Sequence, residues 1–186
     1  MGSTYANVTV LNTGIDAVKE ALVGTGAHLA AEGGDVVVFS PHDEEQMGAK
    51  VTAQQLSAAL GATTVDVIVF DDDFVQIHVL AGGEPAASAV APPNGAAIMG
   101  EMMGDAGGEA PEPADASATA AALVAAVGRG DAAAVEHALL ADNIFASESH
   151  HGVFAALGLP TIGVGWGHRY LEQDRELFDA VPLQTA

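Results

Sequence analysis

The sequence contains no cysteine and very few basic side chains. Without cysteine, the chain has no disulfide framework and no thiolate chemistry. Its 5 Lys and Arg residues stand against 25 Asp and Glu residues, which gives a formal net charge of −20. Binding to nucleic acid needs clustered cations that displace counterions from phosphates, and the sequence has no such cluster. We therefore expect no nucleic-acid partner.

Long apolar runs are also missing. Apolar residues make up 49% of the chain, but no run approaches the roughly 20 residues that a membrane-spanning helix needs. The first residues carry neither the basic nor the apolar region of a secretion signal. The sequence thus predicts a cytoplasmic protein without a membrane partner. Aromatic residues amount to only 5%, which indicates a core of small side chains.

The excess of acidic residues has two interpretations. The acids lie along the whole chain rather than in one tail, as expected for a surface adapted to a salty cytoplasm. A surface of one sign also attracts basic proteins, as in an inhibitor or immunity protein that blocks a toxin. Clustering of the acids on one face of the fold would distinguish the second interpretation from the first.

Hydrophobic patterns over the first half of the chain predict a mixed core. The expected order is strand, helix, two strands joined by Gly33-Gly34, helix, and two strands joined by Asp71–Asp73. The first six elements match the βαββαβ pattern of ferredoxin-like domains. We therefore predict the α+β class, with a ferredoxin-like sheet extended by one or two strands and a mainly helical C-terminal segment packed on it.

Composition divides the chain into three parts. Residues 1–91 form the predicted ferredoxin-like core. Residues 92–115 are rich in Gly, Pro and Ala and are expected to be a linker. Residues 116–186 have helical patterns and are expected to form one unit with the core.

Local signals give finer predictions. Ser40-Pro41-His42-Asp43 has the pattern of a helix start. A second cap pattern at Thr52–Gln55 favours a helix over Thr52–Leu60 instead, with His42–Glu45 as an exposed acidic turn before it. Asp142 or Asn143 is expected to cap the third helix of the C-terminal segment. Thr161–Val164 is expected to be a short strand.

Candidate metal ligands lie in the C-terminal segment. Glu148 and His151 are three residues apart on a predicted helix and share a face, with His150 beside them and His168 further along. A metal site needs three or four converging ligands. The second Glu-x-x-His pair of di-iron proteins and the His-Glu-x-x-His pattern of zinc proteases are both absent. We therefore predict no cofactor and keep these four residues as metal candidates, with a half-buried structural His150 as the alternative.

A glycine-rich segment precedes the last predicted helix. Gly163, Gly165 and Gly167 alternate with other residues, and Arg169 supplies a nearby positive charge. Backbone N–H groups of such a segment can bind an anion. The spacing differs from the dinucleotide and P-loop patterns, so the alternative is a structural turn that lets another part of the backbone approach closely.

Successive carboxylates at Asp71–Asp73 are a further possible cation site. Hard cations prefer several carboxylate oxygens, but three consecutive side chains of a tight loop do not converge on one point. A solvated hairpin turn is therefore the predicted role of this segment.

Several short motifs occur in combination outside about residues 82–142. They are YANVTV at 5–10, DEEQ at 43–46, DDD at 71–73, FAxExH at 145–150, LGLP at 157–160 and GxGxRYLE at 165–172. Together they resemble a family of uncharacterised bacterial proteins. The resemblance implies no catalytic residue, and it implies that the N-terminal sheet and the C-terminal segment form one unit.

Three classes of function stay open at this point. The sequence favours an acidic protein-binding or inhibitor protein with a basic protein partner over an enzyme. The second class is a small salt-adapted enzyme or ligand-binding protein with a site near Glu148, His150, His151 and His168. The third is a structural or oligomerising domain. The predicted fold does not decide among them, because ferredoxin-like sheets serve many functions.

Overall fold

A computed structural model describes residues 2–45, 51–92, 94–95, 114–178 and 182–186. Within these ranges, strands form one antiparallel sheet with helices on both faces, which confirms the predicted α+β class. No helix in these ranges is long and apolar enough to cross a membrane. Most of the predicted linker over 92–115 lies outside the described residues.

The strands of the described residues lie in one sheet. They are β1 (Tyr5–Val10), β2 (His28–Glu32), β3 (Asp35–Phe39), β4 (Thr63–Phe70), β5 (Phe74–Ala81), β6 (Glu84–Ala91) and β7 (Gln184–Thr185). Their order across the sheet is β6-β5-β4-β1-β3-β2-β7, and each neighbouring pair is antiparallel. β5 and β6 extend the sheet beyond β4, as expected. β7, which the sequence did not predict, pairs with β2 at the other edge.

Helices cover both faces of the sheet. They are α1 (Ile15–Ala21), α2 (Pro41–Glu45), α3 (Val51–Leu60), α4 (Ala116–Val127), α5 (Ala132–Leu140), α6 (Ala146–Leu157) and α7 (His168–Asp174), and a 3-10 turn (Arg175–Leu177) follows α7. Helices α1 and α3 pack on one face, and α4 to α7 pack on the other. We call these the α1/α3 face and the α4–α7 face.

Alternation along the strands assigns side chains to the two faces. On β1, Val8 and Val10 join the apolar core under α1 and α3. Asn7 and Thr9 point the other way, towards the α4–α7 face, and both are buried. β3 lies between β1 and β2 and is buried along its whole length, as its run of apolar residues without polar alternation indicates.

Both predicted tight turns are present. In the Gly33-Gly34 turn the two φ angles are 61° and 93°, which glycine adopts without strain. Asp71 and Asp72 also have positive φ angles, 49° and 58°. Their carboxylates accept hydrogen bonds from the backbone N–H groups of Gly2 and Ser3. The aspartates therefore hold the start of the chain against the β4–β5 turn.

Two local predictions are wrong. The expected exposed turn over His42–Glu45 belongs to helix α2, and Asp43 is only 3% exposed because α2 packs against α3 and β1. The expected strand Thr161–Val164 is instead part of a series of turns. Its backbone bonds to a side chain instead of a neighbouring strand, because Asn7 donates to the carbonyl oxygen of Gly163.

The start of helix α6 also differs from the prediction. Its N-cap is Phe145, neither Asp142 nor Asn143. Glu148, in the first turn, accepts hydrogen bonds from the backbone N–H groups of Ile144 at 3.1 Å and Phe145 at 3.2 Å. Glu148, the third residue of the helix, thus binds the backbone N–H of the N-cap residue, as the glutamate of a capping box does.

Candidate metal centre

His28 is a buried imidazole near the β2 edge of the sheet. It is 3% exposed and lies on the α4–α7 face. Pairing with β7 sets Thr185 opposite it, and Oγ1 of Thr185 lies 3.4 Å from Nδ1 of His28. The other ring nitrogen, Nε2, lies 2.5 Å from Oε1 of Glu172. One nitrogen of His28 therefore contacts the neighbouring strand, and the other points towards α7.

Helix α7 supplies two side chains to the same place. His168 and Glu172 are four residues apart and so share a face of the helix. The His168 ring lies 5.1 Å from the His28 ring, with 11° between the planes. Nε2 of His168 lies 3.2 Å from the carbonyl oxygen of Gly26. A carbonyl only accepts, so Nε2 carries the proton and Nδ1 is the nitrogen left to bind a metal ion.

The three side chains converge. One nitrogen or oxygen atom from each of His28, His168 and Glu172 lies within 4.8 Å of the other two, and no other group of three such side chains in the described ranges does so. Two imidazoles and one carboxylate are a ligand set of zinc sites in which water takes the fourth position. The pKa of Glu172 is lowered, first by the hydrogen bond from His28 and then by the charge of that imidazole. This favours the ionised form that a metal ion requires.

The four metal candidates predicted from the sequence lie on two different helices, His168 on α7 and the other three on α6. His168 belongs to the cluster just described. Glu148 caps helix α6, and His151 is exposed on the same helix. His150 is 0% exposed and contacts β1. Among the described residues, the three candidates on α6 do not converge with one another or with His168.

Sequence reasoning missed His28 and Glu172. The spacing of His168 and Glu172 at the start of a predicted helix is a signal that could have identified the second of them. His28 gave no such signal, because 144 residues separate it from Glu172. Only the packing of α7 over β2 brings the two side chains together.

His150 takes part in a separate buried contact between α6 and β1. Its Nδ1 lies 2.9 Å from the hydroxyl oxygen of Tyr5, and Phe154 packs edge-on against its ring at 4.4 Å. The backbone N–H of Gly165 bonds to the Tyr5 oxygen, which leaves the hydroxyl proton for Nδ1 of His150. Burial lowers the pKa of His150 to about 3, so this imidazole is neutral at physiological pH.

The glycine-rich segment is a turn fixed on β1. The side-chain amide of Asn7 donates to the carbonyl oxygens of Gly163 at 2.8 Å and Trp166 at 3.0 Å. A Cβ atom at Gly163 would lie 3.0 Å from that amide, so glycine permits the close approach. Gly165 has a φ of 80°, and Gly167 is the N-cap of α7. These contacts are those of a structural turn that lets another part of the chain approach closely.

Arg169 lies against the N-terminal strand. Its guanidinium donates to the carbonyl oxygen of Thr4 at 3.3 Å and stands 5.2 Å from the centre of the Tyr170 ring. Anion binding by Arg169 and the three glycines stays a prediction.

Asp43 is a buried carboxyl group at the other face of the sheet. Its Oδ1 accepts a hydrogen bond from the backbone N–H of Thr52 at 3.4 Å, and no partner of Oδ2 lies in the described part of the chain. Burial, with a further contribution from the nearby charge of Asp66, raises the pKa of Asp43 from 3.8 to about 6. Ionisation of Asp43 therefore opposes folding.

Replacing Asp43 with Asn should stabilise the protein more at pH 8 than at pH 4. The raised pKa means that the native state holds the Asp43 proton more tightly than the unfolded state. The protonated Asp43 therefore stabilises the native state. This stabilisation is complete below pH 4 and is lost as the pH rises through about 6. The asparagine cannot ionise. The free energy of unfolding of the variant relative to the wild type should therefore rise by roughly 2 kcal/mol as the pH rises from 4 to 8. Urea unfolding at the two pH values measures this difference, and Asp142→Asn, at an exposed position, is the control. If the stabilities of Asp43→Asn and the wild type change in parallel with pH, the prediction is wrong.

Comparisons of the chain with protein-family models, curated proteins and solved structures find no match. The family resemblance suggested by the motifs therefore stays a prediction.

Proposed function

We propose that this protein binds a divalent transition-metal ion through His28, His168 and Glu172. The observation that carries the proposal is the convergence of two imidazoles and a carboxylate within 4.8 Å. The cluster belongs to the ligand-binding class that the sequence left as an alternative, and it shares His168 with the site expected there. Three protein ligands leave a coordination position for water or for a further ligand.

The surroundings of the two imidazoles support metal binding. Ligating histidines usually bond through their second ring nitrogen to a backbone carbonyl, a carboxylate or water, which fixes the orientation of the ring. His168 has this partner in the carbonyl oxygen of Gly26, and His28 contacts the hydroxyl of Thr185. Each imidazole therefore has one ring nitrogen with a partner outside the cluster.

The ligand atoms indicate which ion would bind. Imidazole nitrogen suits Zn²⁺, Co²⁺ and Ni²⁺, whereas Mg²⁺ and Ca²⁺ take oxygen ligands. The net charge of −20 attracts cations of every kind to the surface. Selectivity for a transition metal must therefore come from His28 and His168.

Titration with Co²⁺ in excess Mg²⁺ tests the proposal, because Mg²⁺ occupies the exposed carboxylates. We expect one equivalent of Co²⁺ to bind, with the visible absorption of a low-coordinate site, and Zn²⁺ to displace it. Removing a ligand by His168→Ala or Glu172→Ala should weaken binding at least about tenfold. At a concentration 100 times the Kd, the ion should stabilise the fold by about 2.7 kcal/mol.

His151→Ala is the matched control, since His151 is an exposed histidine of the same segment and a metal candidate of the sequence. It should bind Co²⁺ as the wild type does. Glu172 is also exposed, so Glu172→Ala is expected to fold even if a change at the buried His28 does not. Stoichiometric binding that persists in both α7 variants would overturn the proposal.

We also propose that the first four strands form a ferredoxin-like unit. Their order is β4-β1-β3-β2, all pairs are antiparallel, and the connecting helices α1 and α3 lie on one face. This order and packing support a split βαβ fold. β5 and β6 then extend the unit beyond β4, and β7 extends it beyond β2.

Binding of a basic protein stays a prediction from the charge of the chain. Two exposed apolar side chains support this prediction: Ile144 is 84% exposed and Phe145 is 51% exposed. They lie beside the acidic turn Asp71–Asp73, because the N–H of Ala146 donates to the carbonyl oxygen of Asp72. Apolar anchors next to acids suit a basic partner.

A further inference from the structure

Three neighbouring strands place a carboxylate, an imidazole and a hydroxyl in one row. In the register of β4, β5 and β6, Asp66 lies opposite His78, and His78 lies opposite Ser88. Asp66 is also opposite Val8, whose side chain packs under α1 and α3. Opposite residues of antiparallel strands share a face, with Cβ atoms about 5 Å apart. The three side chains therefore lie side by side on the α1/α3 face.

The first two members of the row contact each other. Oδ2 of Asp66 lies 3.3 Å from Nδ1 of His78, and the two residues are 1% and 7% exposed. A carboxylate accepts, so Nδ1 of a neutral imidazole carries the proton and Nε2 is left as a base. Asp66 stands on the β4 side of the ring. Ser88 lies on the opposite side of His78, on β6.

His78 and Ser88 line the same cleft, which has a volume of about 340 Å³. The rest of its lining consists of small and apolar side chains, namely Leu80, Pro85, Ala86 and Ala87. Ser88 is exposed, whereas most of His78 is shielded. A nucleophilic site requires an accessible hydroxyl, a neighbouring base and a cleft of small-molecule size, and this cleft has all three.

We infer that Ser88, His78 and Asp66 form a catalytic site that transfers the acyl group of a small ester, independently of the metal centre. Oγ of Ser88 attacks the carbonyl carbon and passes its proton to Nε2 of His78. The ester C–O bond then breaks, and the departing alcohol takes that proton. Water attacks the acyl-serine by the same route, which releases the carboxylic acid and restores Ser88.

The charges near the cleft restrict the substrate. Asp66 lies in the row itself, and Glu84 on β6 is next to the lining residue Pro85. The chain as a whole carries −20. An anionic ester would be repelled, so the substrate class is a small uncharged or cationic ester.

A fluorophosphonate probe, which forms a covalent adduct with activated serines, tests the inference on the full chain. We expect an adduct at Ser88, located by mass spectrometry, and none in Ser88→Ala. His78→Gln should lower the labelling rate by about 100-fold or more, since it removes the base. Ser117→Ala, at an exposed serine of α4, should label as the wild type does. Absence of an adduct at Ser88, or labelling at an unchanged rate in His78→Gln, would overturn the inference.

A second variant tests the inference without any substitution at His78, whose burial makes a change there a risk to folding. The chain has no cysteine, so Ser88→Cys introduces a single thiol at an exposed position. Beside His78, its alkylation by iodoacetamide should follow a pKa well below the usual value of about 8.5. An ordinary thiol profile would show that His78 does not act on residue 88, and the catalytic assignment would be wrong.

Discussion

Replacing His150 with Gln is expected to make the protein less sensitive to acid. The pKa of the buried imidazole is lowered to about 3, first by burial and then by the charge of His151. The unfolded chain takes up a proton at the ordinary value of 6.5, so the stability contributed by neutral His150 is lost as the pH falls from there towards 3. As the pH falls from 7 to 4, the free energy of unfolding of the His150→Gln variant relative to the wild type should therefore rise by about 3 kcal/mol.

Chemical denaturation at the two pH values measures this difference. The glutamine can still accept a hydrogen bond from Tyr5, but it loses the edge-on contact with Phe154, so the variant should be the less stable protein at pH 7. His137→Gln, at an exposed position of α5, is the matched control. If the curves of wild type and His150→Gln stay parallel between pH 7 and pH 4, the buried imidazole is not the source of acid sensitivity.

Replacing Arg129 with Ala should destabilise the protein by about 3 kcal/mol at pH 7. Arg129 follows α4 and forms an ion pair with Asp35 at the start of β3. Asp35 is 2% exposed and also accepts a hydrogen bond from the backbone N–H of Asn12 at 3.0 Å. The variant keeps the buried carboxylate but removes its cation, and an uncompensated buried charge is costly. Urea denaturation measures the loss.

A second substitution identifies the cause of that loss. Asp35→Asn, added to the Arg129→Ala variant, removes the uncompensated charge and should recover part of the stability. Arg175→Ala removes an exposed cation and should change stability little. A double variant as unstable as Arg129→Ala alone would mean that lost packing of the arginine, and not the buried charge, accounts for the effect.

Local patterns in the sequence were sufficient for much of the fold. The alternation on β1, the Gly33-Gly34 turn and the Asp71–Asp73 turn each reflect the conformation of a few adjacent residues, and all three are present. The errors have a different origin. Asp43 looked like a surface acid because nothing nearby in the sequence shows that α3 and β1 cover it, and β7 is too short to produce a pattern.

The candidate site was predictable only in part, for the same reason. His168 stood out by its chemistry, but its partner His28 joins it through contacts between segments about 140 residues apart. The row of Asp66, His78 and Ser88 depends on strand register, which the lengths of the turns indicate. Sequence reasoning did not use this register to place the three side chains next to one another. Asp66 in the middle of an apolar strand was the available signal.

The two edges of the sheet have a consequence for how copies of this protein meet. At one edge, β6 carries Pro85, which has no N–H to donate, and its pairing with β5 shifts register between Val79 and Leu80. At the other edge, β7 has two residues. Such short or interrupted edges give a second molecule little to pair with, and the shared negative charge adds repulsion. The folded protein should therefore resist strand-to-strand aggregation at high concentration.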